Sequence, residues 1–72
     1  MIIYVVKTFN HKEKKFGVKH FKNLQKAKDW TDFAEKGLNN RTKIIRYESQ
    51  GEAKRVKKEL FETYIEVGYT VF

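Results

Sequence analysis

The sequence predicts one small α+β domain, in which a mixed β-sheet with the element order β-β-α-β-α-β carries two amphipathic helices. Its 72 residues are about half the usual length of a domain, so residues 1–72 are expected to share a single core. Segments rich in β-branched and aromatic residues alternate with two segments whose apolar residues recur at helical spacing. Hydrophobic residues make up 40% of the chain and include one Trp, four Tyr and six Phe, which supply large side chains for that core.

The first two elements predict a β-hairpin. Residues 2–9 carry apolar side chains on both alternating faces, which is typical of a central strand covered on both sides in its first half. A polar stretch leads into residues 15–21, where Phe16, Val18 and His20 alternate with lysine, glycine and phenylalanine. Residues 15–21 are therefore expected to pair with the first strand.

A first helix is expected over about residues 24–37. Asn23 can cap its N-terminus, because a side-chain oxygen at this position accepts hydrogen bonds from the free N–H groups of the first turn. Gly37 and the pair Asn39-Asn40 tolerate left-handed backbone geometry, so they are expected to end the helix. Its apolar arc consists of Leu24, Ala27, Trp30, Thr31, Ala34 and Leu38.

Residues 42–47 predict a third strand, and the segment behind them predicts a second helix. Ser49 and Glu52 have the spacing of a capping box at the start of that helix. Gly68 is expected just after its end, where a residue in the left-handed conformation closes the last turn. Residues 69–72 then predict a short last strand. The apolar face of the second helix consists of Ala53, Val56, Leu60, Phe61, Tyr64 and Val67.

The net charge of +7 is concentrated in the first part of the sequence. Residues 1–28 contain eight lysines and one acid, whereas residues 29–72 contain eight basic and eight acidic residues. The excess positive charge is therefore assigned to the hairpin and the start of the first helix. The basic residues of the second helix are expected to be balanced by acids one turn away. The expected pairs are Arg55–Glu59 and Lys58–Glu62.

A lysine-rich hairpin predicts a surface that binds a polyanion. Lys7, Lys15 and Lys19 are expected to form one stripe on the outward face of the hairpin, with further lysines at its tip. Because lysine outnumbers arginine 13 to 3, contacts should go to nucleic-acid phosphates with little sequence specificity. Aromatic side chains bordering the stripe could stack on unpaired bases. The candidate nucleic-acid-binding residues are Lys7, Lys12, Lys14, Lys15, Lys19 and Lys22, together with Phe9 and Phe21.

Two other interpretations of the same lysines stay open. Lysines on a hairpin also keep an exposed strand edge from pairing with other chains, so they can serve solubility alone. Alternatively, the chain is an accessory protein of the kind found in phages and mobile elements, which binds or inhibits an acidic host protein. The last strand could pair with a second copy, so a monomer or a weak homodimer is expected.

The sequence contains no recognisable catalytic or metal site, so an enzyme and a bound cofactor are not expected. His11 and His20 are nine residues apart, there is no cysteine, and Ser49 is better explained as a helix cap than as a nucleophile. The glycines are isolated and form no phosphate-binding loop. The apolar run over residues 2–6 is too short for a signal sequence or a membrane span, so a cytoplasmic protein without membrane contact is expected.

The order hairpin, helix, strand, helix, with the segments Ile2-Ile3-Tyr4 and Phe16-Gly17-Val18, resembles that of GIY-YIG nucleases. The resemblance covers most of the chain, although the family has Tyr-Ile-Gly where Phe16-Gly17-Val18 stands. It implies a degenerate nuclease fold. Lys28 lies nearest to the helix arginine of the family, and Glu59 or Glu62 lies nearest to its metal-binding glutamate.

Overall fold

The computed structural model describes residues 2–71 and has the predicted order of elements. The strands are β1 (Ile3–Asn10), β2 (Lys15–Phe21), β3 (Arg41–Tyr47) and β4 (Thr70–Val71), and the helices are α1 (Leu24–Lys36) and α2 (Gln50–Glu66). The four strands form one sheet in the order β3-β1-β2-β4, with β1 antiparallel to β2 and β3, and with β2 parallel to β4. The predicted mixed α+β sheet and the inner position of β1 are thus confirmed. The last strand is shorter than predicted, and Phe72 lies outside the described residues.

The two helices cover opposite faces of the sheet. Ile3 and Val5 of β1 are fully buried in one cluster with Ala53 of α2. Successive side chains of a strand point to opposite faces, so the equally buried Val6 lies on the other side, under α1. On that side Ala34 of α1 is also fully buried. Its small side chain lets the helix lie close to the sheet. We refer to these two sides as the α2 face and the α1 face.

An aromatic cluster fills the α2 face near the hairpin. Phe16 is fully buried, and its ring centroid lies 5.2 Å from those of Phe61 and Tyr64. Phe9 packs on the same cluster, with its centroid 4.9 Å from that of Tyr64. Burial, and then the nearby Tyr69, raise the pKa of the Tyr64 hydroxyl above its usual value. Tyr64 therefore stays uncharged at neutral pH and packs as a neutral aromatic.

Polar caps begin both helices where the sequence predicts them. The side-chain oxygen of Asn23 accepts hydrogen bonds from the backbone N–H groups of Gln25 and Lys26 at 2.7 and 3.3 Å. Ser49 Oγ accepts from the backbone N–H of Glu52 at 3.1 Å. Each bond satisfies a donor that has no partner within the helix.

The end of α1 differs from the prediction in one residue. Gly37 is right-handed, with φ of −84°, and the left-handed residue is Asn39, with φ of 56°. Glycine is required at position 37 for another reason, because an added Cβ would lie 2.8 Å from the carbonyl oxygen of Phe33.

The glycines at the two ends of α2 predict opposite effects on substitution by alanine. Gly68 has φ of +96°, and the N–H groups of Gly68 and Tyr69 close the helix by donating to Ile65 and Tyr64. Gly68→Ala is expected to lower the free energy of unfolding by about 1–2 kcal/mol, because a Cβ disfavours this backbone region. Gly51 lies in α2 with open space around it, so Gly51→Ala should raise that free energy by about 0.5–1 kcal/mol. Urea denaturation of both variants checks the prediction, and equal effects of the same sign would contradict it.

Candidate nucleic-acid interface

The tip of the hairpin is held against the C-terminal segment. The backbone N–H of Thr70 donates to the carbonyl oxygen of Lys14 at 2.9 Å, and His11 Nδ1 lies 2.7 Å from the Tyr69 hydroxyl. Within the loop, the backbone N–H of Glu13 donates to Asn10 Oδ1 at 3.0 Å. The loop lysines are therefore carried on an anchored turn.

The expected single stripe of hairpin lysines is wrong. Asn10 pairs with Lys15 across the loop, so Lys7 is opposite Val18 and Lys19 is opposite Val6. Cross-strand partners point to the same face. In this register each odd-numbered residue of β1 is opposite an even-numbered residue of β2. Odd-numbered residues of the two strands therefore point to opposite faces of the sheet. Lys7 therefore belongs to the α2 face, and Lys15 and Lys19 belong to the α1 face.

The same register separates the two aromatic candidates. Phe9 lies on the α2 face and is half-buried in the core cluster. Phe21 is opposite Tyr4 on the α1 face and is also half-buried. Phe9 and Phe21 therefore do not border one common surface.

On the α1 face, two of the candidate lysines have neighbours within the chain. Lys19 Nζ lies 4.0 Å from the ring centroid of Trp30, so this lysine helps to hold α1 on β2 through a cation–π contact. Lys15 Nζ lies 4.0 Å from a carboxylate oxygen of Glu13. Lys22 is exposed just before the cap of α1.

On the α2 face, the sheet brings together cations from both halves of the chain. Lys7 of β1 is directly opposite Lys43 of β3, and Phe9 is directly opposite Arg41. Lys12 lies on the hairpin loop, where it lines an open cleft together with Phe9 and Arg41. It is therefore close to the cations of β1 and β3. We call Lys7, Lys12, Arg41 and Lys43 the basic patch. Within residues 2–71, no carboxylate oxygen lies within 4.0 Å of these four cations.

An open cleft of about 700 Å³ adjoins the basic patch where the hairpin loop meets the α1–β3 loop. The rings of Phe9 and His11 stack along it at 5.7 Å, with an angle of 6° between their planes. Lys7 Nζ lies 5.8 Å from the Phe9 centroid. Glu13 is the acid that also lines this cleft. The arrangement presents positive charge beside a flat aromatic surface.

The sequence interpretation missed Arg41 and Lys43. Both were assigned to an electrically balanced second half, and only the pairing of β3 with β1 brings them beside Lys7. The two ion pairs expected within α2 are also not formed. Neither Arg55–Glu59 nor Lys58–Glu62 has its charged atoms within 4.0 Å among the described residues. Alternation along residues 41–47 was the available signal for the missed cations, but it does not reveal the partner strand.

The residues suggested by the nuclease resemblance are not brought together. Lys28 lies on α1, whereas Glu59 and Glu62 lie on α2, and these helices cover opposite faces of the sheet.

Among residues 2–71, no three His, Cys, Asp or Glu side chains are grouped in a way that could hold a metal ion. In the same part of the chain, no helix has the length and apolar character needed to cross a membrane. No protein-family model, curated protein or solved structure matches this chain.

Proposed function

We propose that the protein is a non-enzymatic binding module that contacts nucleic-acid phosphates through the basic patch. The observation that carries the proposal is the direct cross-strand pairing of Lys7 with Lys43, without a carboxylate within 4.0 Å of either. Like charges directly opposite on neighbouring strands destabilise a sheet. A bound polyanion removes that repulsion, so the pair is favourable when phosphates are present.

The spacing of the basic patch fits a chain of phosphates. Arg41 and Lys43 are two residues apart on one strand, which separates their Cα atoms by about 7 Å, and Lys7 is on the adjacent strand about 5 Å away. Lysine acts as a point charge, so three of the four contacts carry no base specificity. The stacked rings of Phe9 and His11 offer a surface on which an unpaired base can stack.

The proposal predicts that two triple variants of equal net charge differ in affinity. Lys12→Gln, Arg41→Gln and Lys43→Gln together remove three exposed cations of the basic patch. We expect roughly a hundredfold loss of affinity, at about 1 kcal/mol per lost contact. Fluorescence anisotropy with random-sequence single-stranded and duplex oligonucleotides measures the loss.

The matched control removes three exposed lysines that lie outside the basic patch. Lys14→Gln, Lys15→Gln and Lys22→Gln together lower the net charge by the same amount, and we expect them to weaken binding by only about threefold through the long-range field. Equal losses in the two triple variants would show that no local patch exists. Incubation of the same oligonucleotides with Mg²⁺ tests the nuclease alternative, since a non-enzymatic module leaves them uncut.

A further inference from the structure

The sheet has an open edge on β2. β1 pairs with β2 along Lys15–Phe21, but β4 pairs only with Lys15 and Phe16. Within residues 2–71, no strand pairs with the outer side of residues 18–21. An unpaired strand edge is a template on which another extended chain can add a strand.

The hydrogen-bonding groups of this edge can be identified. On the β4 side, the carbonyl oxygen of Lys14 accepts from Thr70 at 2.9 Å. Because the N–H and C=O groups of successive residues point to alternate sides of a strand, those of Val18 and His20 also point to this side. The open edge therefore offers two donors and two acceptors in alternation.

The side of the open edge next to α2 is cationic. A shallow, open depression of about 400 Å³ there is lined by His20, Lys54, Lys57, Lys58, Phe61 and Glu62. The lining thus contains three lysines and one carboxylate. None of the three lysines has a carboxylate oxygen within 4.0 Å in the described chain. Acidic side chains of an added strand would be attracted to this side.

The side of the open edge next to α1 is mainly apolar. A cavity of about 270 Å³ there is lined by Trp30, Leu38, Phe61 and Val71, among others, and the cation of Lys19 lies against Trp30 on its wall. Phe61 lines both, so the two depressions adjoin at this residue, and we call them together the groove. Since side chains of a strand alternate between faces, an added strand with acidic and apolar residues in alternation matches both sides.

We infer that this groove binds an acidic peptide segment, which adds to β2 as an extra strand. Two other occupants fit less well. A second copy of the chain pairing through the same edge would bring Lys19 and the α2 lysines against their own copies, and these like charges would repel. A nucleic acid would satisfy the lysines, but its phosphates cannot donate hydrogen bonds to the outward carbonyl groups of Val18 and His20.

A titration followed by NMR tests the inference on the intact chain. The probe is a short peptide of alternating glutamate and valine, which is added to the ¹⁵N-labelled protein up to about 1 mM. At this concentration, binding with a dissociation constant as weak as about 1 mM is detected. We expect the largest shifts at the amides of residues 18–21. The triple variant Lys54→Gln, Lys57→Gln and Lys58→Gln should bind roughly tenfold more weakly, since exposed ion pairs each contribute a few tenths of a kcal/mol.

Two controls separate strand addition from simple charge attraction. His20→Pro removes an outward N–H without removing a bond to β1, so it should abolish binding, whereas His20→Ala should retain it. Because proline can disturb the strand itself, the same peptide with every backbone amide N-methylated is added to the unmodified protein, and it should not bind. Equal binding of the methylated peptide would overturn the inference. So would the absence of shifts at residues 18–21.

The β3 part of the basic patch and the groove lie on opposite sides of β1, so the failures of the two proposals can be told apart. Arg41 and Lys43 belong to β3, and the open edge belongs to β2. We expect an oligonucleotide bound to the basic patch to leave the peptide in place. Displacement of the peptide by the oligonucleotide would mean that the groove takes nucleic acid, and it would overturn the assignment of an acidic peptide.

Discussion

Phe16→Ala is expected to lower the free energy of unfolding by about 3–5 kcal/mol, because it removes a fully buried ring and leaves a cavity in the aromatic cluster. A domain of 72 residues has a total stability of roughly 4–11 kcal/mol. The loss therefore takes a large share of that stability, and at the lower end of the range the variant is mostly unfolded. Urea denaturation followed by far-UV circular dichroism measures the change.

Phe33→Ala provides the matched control for this prediction. Phe33 is 52% exposed on α1, and its ring centroid lies 5.5 Å from that of Trp30. Removing an exposed ring is expected to cost at most about 1 kcal/mol. If both alanine variants lost the same stability, the aromatic cluster on the α2 face would not be the core of the domain.

The affinity of the protein for random-sequence duplex DNA is expected to fall roughly a hundredfold between about 50 and 200 mM salt. Four cations that neutralise four phosphates release the condensed counterions, which gives a slope of about −3.6 in a plot of log affinity against log salt. Fluorescence anisotropy over a salt series measures the slope. In the variant without Lys12, Arg41 and Lys43, the slope should become less steep by about 2.7.

A flat salt response would contradict phosphate binding by this surface. It would leave the hairpin lysines with the role of protecting strand edges and keeping the protein in solution. The control variant without Lys14, Lys15 and Lys22 should keep a slope close to that of the unmodified protein, because these lysines lie outside the basic patch. A large decrease in its slope would instead indicate that the phosphates follow the hairpin tip.

The lysines of the hairpin have different structural environments despite their closeness in the sequence. Lys19 contacts the Trp30 ring and Lys15 lies near Glu13, whereas Lys7 and Lys12 have no carboxylate oxygen within 4.0 Å in the described chain. The anchored loop restricts the backbone that carries Lys12 and Lys14. Restricting a binding residue before the ligand arrives lowers the entropy lost on binding.

The sequence by itself determined the order of the elements and most of their ends. Apolar residues at strand or helix spacing, the polar caps Asn23 and Ser49, and Gly68 after α2 are local signals, and each acts within a few residues of the chain. The α+β class and the central place of β1 followed from the same signals, because the first half of β1 is apolar on both faces. The sequence also determined the total charge.

Only the tertiary structure decided where that charge lies in space. A shift of one residue in strand register moves every side chain of the strand to the other face, and the register of β1 with β2 separated Lys7 from Lys19. The pairing of β1 with β3 then placed Lys7 beside Lys43, although the two are far apart in the chain. Strand pairing joins residues that are distant in sequence, so counting charges along the chain could not predict the basic patch.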